Sequence, residues 1–418
     1  MTSLSKSARA AALALFAGLV LGAGSAAAGE IHVLLGVDPA DANGDVLLSA
    51  SLAPAQSLTK ATGSRTTIAQ TSSMAEVMRA SRTVENEIII APAHVTASAI
   101  LHAYQLLATS GQEQTYALVV RNDIDKVEKL AGKRLYLPQQ DSLRSYMAKG
   151  LLTESGVKLG QFSKITYGNT SGGGLVALSF DMADVTVADE TQAKEWITQH
   201  PGQARILKTT RPVPGGMNMV VRKDFCATEC GRLGDWVNSP DGAIPGIGRF
   251  RMATADATRQ FTYVASLGIT TPEALKGVTR VSAEEVVDLA KQGVTLVDTR
   301  SQKEYENEHV RGAILASYIE KSLKEADFDA SKDDFASLKT IAKDKPVVFL
   351  CNGPECWKSY KASKTAAAAG YTKIYWFRGG MPEWREKRLP VEGAAGAALA
   401  KLPPAVPAAR GKTVAAAH

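Results

Sequence analysis

The sequence predicts an α/β protein made of two globular units in tandem, and three observations carry that expectation. Between residues 30 and 237, short apolar runs alternate with Ala/Leu-rich stretches, the pattern of strands and helices in layered α/β architectures with mostly parallel sheets. A second alternation of the same kind runs from Thr279 to Val391. The chain has 418 residues, more than one ordinary domain of roughly 100–200 residues. Composition narrows the class further. Hydrophobic residues make up 45% and charged residues 22%, which excludes disordered and collagen-like chains. Four cysteines are too few for a disulfide scaffold. The 48 basic and 42 acidic residues are interspersed, so the net charge of +6 forms no basic block of the kind that binds nucleic acid. A long uncharged apolar run occurs only in the first thirty residues, which excludes a multispan membrane protein.

That first segment reads as an address. Lys6 and Arg9 precede an apolar stretch over 10–24, and Ala26, Ala27 and Ala28 follow before Gly29. A basic start, a short apolar middle and a small-residue exit describe a secretory signal peptide (1–28) cleaved near Ala28. The alternative is an uncleaved anchor, for which the run is short of the ~20 residues a span needs. Cleavage removes Lys6 and Arg9 and no acid, lowering the net charge from +6 to +4. It delivers the chain to an oxidising compartment, the periplasm, where cysteines pair.

The first unit spans 29–250. Strands are expected over 31–37, 65–70, 87–91, 116–121, 134–137, 164–167 and 219–222, and helices over 47–61, ending near Gly63, and over 74–81. Its length suits two lobes better than one. Gly and Pro loosen the pattern over 238–248, a helix is expected over 254–267, and 251–278 reads as a connector. The second unit spans 279–391, and the Ala/Pro-rich tail 392–418 is expected to be disordered.

The sharpest chemistry lies in the second unit. An apolar strand over 294–298 stops at Asp298, Thr299 and Arg300. Another over 345–350 runs into Cys351, Asn352, Gly353, Pro354, Glu355, Cys356, Trp357, Lys358 and Ser359, followed by a helix over 360–369. A thiol between a strand end and a helix start lies among backbone amides that favour anions, and such surroundings promote the thiolate. Lys358 adds a cation suited to an anionic donor. A buried structural cysteine is the blander reading of the same placement.

From Thr279 to Val391 the sequence resembles the rhodanese (thiosulfate sulfurtransferase) domain. The turn at Asp298, Thr299 and Arg300 carries the resemblance, with Glu304 and Tyr305, the run His309 to Ala313, the Cys351 loop, and Gly379, Gly380, Met381, Pro382, Glu383 and Trp384, all in the family's order. It implies an α/β domain with a central parallel sheet in which Cys351 forms a persulfide. The loop departs from the usual pattern: Lys358 and Ser359 stand seven and eight positions after Cys351, where most rhodaneses place Arg-Ser at five and six. The loop is therefore larger and offers a point charge in place of a planar fork. It is similar to a Cys-Trp subtype of rhodanese-like periplasmic proteins. Cys356 reads as a resolving thiol, a spectator or a soft-metal ligand, although the loop holds no histidine to complete a metal site. No cofactor and no metal are expected. Asp298 and Arg300 are expected to support the fold or the loop, His309 to be structural, and Trp357 to line the pocket mouth or to pack.

In the first unit, Ser72 and Ser73 precede one helix, Ser142 a second, and Thr170 and Ser171 a third. Each junction reads as an ordinary N-cap; three together make a candidate anion crevice. This unit resembles type II periplasmic solute-binding proteins of the phosphonate/phosphite branch of ABC transporters, over residues 58–63, 73–77, 130–134, 141–152 and 183–189. That resemblance implies a ligand site at Ser72, Ser73, Tyr104, Ser142, Thr170, Ser171 and Asp189, the last equally a hinge or capping carboxylate. Cys226 and Cys230, four apart, fit one helical face and a local disulfide; the haem-attachment pattern is not met.

Three functions follow. The first is an exported sulfurtransferase moving sulfane sulfur from a thiosulfate-like donor through Cys351 to a thiol or cyanide-like acceptor, with a domain that binds a small sulfur or phosphorus oxyanion. The second is a binding protein serving a membrane transporter or sensor, with a non-catalytic rhodanese module. The third is thiol–disulfide exchange through Cys351 and Cys356. Nucleic acid is not expected as a partner.

Overall fold

The computed structural model describes residues 29–38, 52–168, 170, 172–254, 256–267 and 270–394. The expected signal peptide, Ser171, the start of the helix expected over 47–61 and nearly all of the tail lie outside the described residues.

The first domain has two lobes, each built on one sheet. In lobe 1 the strand order is Arg251–Met252, Tyr104–Thr109, Asn218–Arg222, Ile88–Ala91, Ile31–Gly36 and Thr66–Thr71. In lobe 2 it is Ala204–Thr209, Tyr116–Arg121, Val185–Asp189, Arg134–Leu137 and Lys164–Tyr167. Both sheets are mixed, contrary to the mostly parallel expectation. Ile31–Gly36 runs parallel to its two neighbours, but Asn218–Arg222 is antiparallel to Ile88–Ala91 and to Tyr104–Thr109. Lobe 2 repeats this, with Tyr116–Arg121 antiparallel to both its neighbours. The reason is topological. The chain leaves lobe 1 after Tyr104–Thr109 and re-enters it at Asn218–Arg222, and these two crossing strands run in opposite directions. The short antiparallel pair Glu113–Gln114 and Val213–Pro214 joins the crossing segments.

Helices cover both faces of each sheet because the strands are apolar on both. In lobe 1, Leu58 and Trp236 pack on one face, while Met74, Val77, Val95 and Phe261 pack on the other. Phe261 and Val264 belong to the helix Ala257–Ser266, and Arg251–Met252 extends the lobe 1 sheet. Much of the stretch expected to be a connector therefore packs into lobe 1. Cys226 and Cys230 lie on the helix Lys223–Asn238, and their sulfurs are joined.

The second domain carries a five-stranded sheet, every pair parallel, in the order Thr279–Arg280, Ile374–Phe377, Val347–Leu350, Thr295–Asp298 and Ile314–Leu315. Val347–Leu350 is the middle strand and is buried throughout. Its C-terminal end delivers Cys351 to the edge of the sheet, where a chain crossing over to a helix exposes a site. Among the described residues no helix is long and apolar enough to cross a membrane.

Candidate functional site

Cys351 follows directly on the central strand and is 1% exposed. Its carbonyl accepts the Met381 amide at 2.9 Å. A Cβ on Gly380, whose φ is +55°, would run into that same carbonyl; this is the physical reason for glycine beside Met381. Gly353, at φ +88°, turns the loop, and Cys356 begins the helix Trp357–Ala368. Within this turn the sulfurs of Cys351 and Cys356 are bonded, with Cα atoms 6.1 Å apart.

Most of the other loop residues are tied down. Asn352 donates to Glu304 Oε1 at 2.6 Å and accepts from Arg300 Nη1 at 3.2 Å. Arg300 is buried and pairs with Asp298 at 2.7 Å while donating to the Glu308 carbonyl at 2.6 Å. Asp298 and Arg300 thus brace the loop from below. Burial alone would raise the Glu304 carboxyl, but the Ser301 hydroxyl and amide, Asn352 and the Arg300 charge together hold it below its usual range. Pro354 accepts from the amide and hydroxyl of Thr271, both at 2.7 Å. Ser359 accepts from the Trp376 indole at 3.0 Å. Trp357 packs with Tyr360 and Trp376. His309 stacks on Tyr305 and donates from Nδ1 to its carbonyl, a structural role.

Glu355 is the exception in direction, because its carboxylate points out of its own domain. It accepts from Ser98 Oγ and lies 3.4 Å from Arg82 Nη1 and 3.4 Å from His102 Nε2, all in lobe 1. Burial would raise it, but His102 and Arg82 hold it down to about 2.

The residues expected to bind ligand are only partly brought together. Ser73 caps the helix Met74–Thr83 and Ser142 caps Leu143–Thr153. Gln139 links these junctions across the lobes, accepting from the Met74 amide at 3.3 Å and donating to the Ser72 carbonyl at 3.1 Å. Asp189 caps Glu190–Gln199 through the amides of Thr191 and Gln192. Thr170 is exposed. Tyr104 is placed elsewhere: it is fully buried in lobe 1 with its hydroxyl on the Asn86 carbonyl at 2.7 Å, and burial raises its pKa well above the usual range. It is a core tyrosine.

A cavity of about 480 Å³ opens where the crevice rim meets the second domain, lined by Ala75, Gln140 and Asp141 on one side and by Ser301, Tyr318, Lys324 and Lys358 among others on the opposite side. Lys324 pairs with Asp141 at 2.5 Å. Lys358, the loop lysine, faces this cavity. Sequence reasoning missed Gln139, Asp141 and Lys324, whose importance arises from contacts between distant segments. Asp141 alone had a local signal, standing beside a helix cap.

Residues 282–387 match the model of the rhodanese-like domain. Residues 40–233 match that of the ABC transporter phosphonate periplasmic substrate-binding protein. No curated protein matches the chain. Among solved structures, PhnD1 from Prochlorococcus marinus in complex with methylphosphonate is 13% identical with a TM-score of 0.40, over 57% of this chain and 97% of that one. XAC2383 from Xanthomonas citri bound to chloride is 14% identical with a TM-score of 0.44, over 57% and 96%. The BH2092 protein from Bacillus halodurans is 23% identical with a TM-score of 0.24, over 32% and 85%.

Proposed function

We propose that this chain, a rhodanese-like domain joined to a phosphonate-type substrate-binding domain, is an exported sulfurtransferase that carries sulfane sulfur on Cys351. The observation that supports this most is the position of Cys351, at the end of the central strand and the start of a braced loop leading into the helix Trp357–Ala368. Reduction of the Cys351–Cys356 bond by a dithiol frees the nucleophile. The Cys351 thiolate attacks the outer sulfur of a donor such as thiosulfate, a new S–S bond forms as the donor's S–S bond breaks, and sulfite leaves with the electron pair. A thiol or cyanide then takes the outer sulfur and restores the thiolate. Lys358 offsets the donor's charge as it approaches through the cavity. In this reading the first domain captures or presents a small sulfur or phosphorus oxyanion in the periplasm, with a transporter or sensor in the membrane as partner.

The test is thiosulfate-to-cyanide transfer by the pre-reduced full chain. Activity is expected in the wild type and lost at least a hundredfold in Cys351→Ser. If several anionic donors give none, the binding-protein reading remains, and thermal shift against sulfite, thiosulfate, phosphite and methylphosphonate addresses it, since a ligand of the folded state raises the melting point. The joined sulfurs of Cys351 and Cys356 favour a second reading, thiol–disulfide exchange. It requires a dithiol substrate whose two electrons reduce this bond, and Cys356→Ala abolishes it while leaving sulfur transfer intact.

A further inference from the structure

The Cys351 loop is held by the other domain, and by both of its lobes. Lobe 1 takes Glu355, which accepts from Ser98 Oγ and faces Arg82 and His102. Ser98 in turn shares a 2.6 Å hydrogen bond with Ser81, so the grip is anchored on the last turn of the helix Met74–Thr83, whose first turn forms the crevice rim. Lobe 2 takes the next residues: Lys149 Nζ stands 4.9 Å over the Trp357 ring.

Lobe 2 also holds a segment of the second domain, residues 321–328. Lys324 pairs with Asp141, and the Glu325 carboxylate accepts the amides of Leu159 at 2.9 Å and Gly160 at 3.2 Å. This segment is tied back to the helix that follows Cys356, since Lys361 donates to the Ser322 carbonyl at 3.1 Å and Lys364 to that of Ala326. The second domain therefore straddles the crevice, one foot on each lobe, with the Cys351 loop at the crossing.

We propose that the two lobes set the reactivity of the Cys351 centre through this double grip, with Glu355 as the positioning residue. A two-lobed domain moves by rotation about its crossing segments. Any such rotation changes the separation between Arg82/Ser98 on one lobe and Asp141/Lys149 on the other, and the Cys351 loop spans that separation. Lobe closure and the state of the Cys351–Cys356 bond are then linked, and linkage is reciprocal. The inference rests on Cys351 being the reacting thiol.

The test is the rate at which dithiothreitol reduces Cys351–Cys356 in the oxidised full chain, read by alkylation and peptide mass spectrometry. In each event the two dithiol sulfurs close to a cyclic disulfide, and Cys351 and Cys356 take up the two electrons and two protons. Cys226–Cys230, on the helix Lys223–Asn238 of lobe 1, is the internal reference. Glu355→Gln removes the charge that faces Arg82 and His102 on lobe 1, and Lys324→Met removes the ion pair between the segment and Asp141 on lobe 2. Each is expected to speed reduction of Cys351–Cys356 at least tenfold, with Cys226–Cys230 unchanged. Lys324→Arg keeps the ion pair with Asp141 and is expected at the wild-type rate. Wild-type rates in both disrupting variants overturn the proposal. So does a rise shared equally by Cys226–Cys230, which reports general loosening. Absence of sulfur transfer would leave these rates untouched, so failure of the function and failure of the coupling are distinguishable.

Discussion

Arg300 spends its guanidinium on three partners: the Asp298 carboxylate, the Glu308 carbonyl and the Asn352 side chain. None of these contacts reaches solvent, as Arg300 is 1% exposed and Asp298 not at all. Removing the cation leaves a buried carboxylate uncompensated, which typically costs about 3–5 kcal/mol. Arg300→Met is therefore expected to destabilise the second domain by that amount in urea unfolding; a loss below about 1 kcal/mol would show that Asp298 finds another partner. The Asp298 and Arg300 roles were legible in the sequence because both stand in one recognisable turn. The link to Asn352 was not, since it closes over 52 residues. Tyr104 fails for the opposite reason. An aromatic residue after an apolar helix looks the same in sequence whether it faces a ligand or a core, and only the sheet places it under lobe 1.

Helix starts were the most legible elements. A hydroxyl ahead of an apolar run marked Ser73 and Ser142, and each accepts an amide of its own first turn; Asp189, which only the resemblance singled out, caps its helix as well. Ser142→Ala is expected to cost about 1 kcal/mol in thermal or urea unfolding, a value that ligand binding there would not produce. Less legible was the helix Ala93–Leu101, which follows the expected strand, found at Ile88–Ala91, directly after Pro92. Both are apolar on all sides, so periodicity does not separate them. The same limit hid Tyr104–Thr109 as a strand. The helix Gly380–Glu386 supplies the sharpest element-scale test. A methyl at Gly380 meets the Cys351 carbonyl and faces a positive φ, so Gly380→Ala is expected to displace the loop. The reduced variant should lose most sulfur transfer while its far-ultraviolet circular dichroism stays that of the wild type; full activity would mean that the loop tolerates the shift.

At the scale of the whole molecule the sequence was least informative, because the interface is built from residues that look like ordinary surface charges. Lys324, Glu325 and Glu355 acquire their roles only when 321–328 and the Cys351 loop meet the two lobes. The lobes themselves are joined beneath that interface by a residue whose protonation can be followed. His94, on the lobe 1 helix Ala93–Leu101, donates from Nε2 to the Asp141 carbonyl of lobe 2 at 2.7 Å and lies beside Tyr146. Burial pushes its pKa down to about 4, against partial relief from Asp141. The unfolded chain protonates this histidine near 6.5, so between about pH 6.5 and 4 the unfolded state binds more protons than the folded one. Stability from this group is thus fully present above pH 6.5 and declines as the pH falls through that window. The loss is roughly 2 kcal/mol at pH 5 and roughly 3 by pH 4. Glu355, held at about 2 by His102 and Arg82 against the effect of burial, adds a smaller loss of the same sign at the acid end of this window, where the unfolded carboxyl begins to protonate, and that loss is common to the wild type and the His94 variant. Urea unfolding of the full chain from pH 7.5 to 4.5, compared with His94→Gln, isolates the effect. The wild type should lose stability relative to the variant as the pH falls, and a flat difference would mean that His94 is reached by water and does not tie the lobes together in its neutral form.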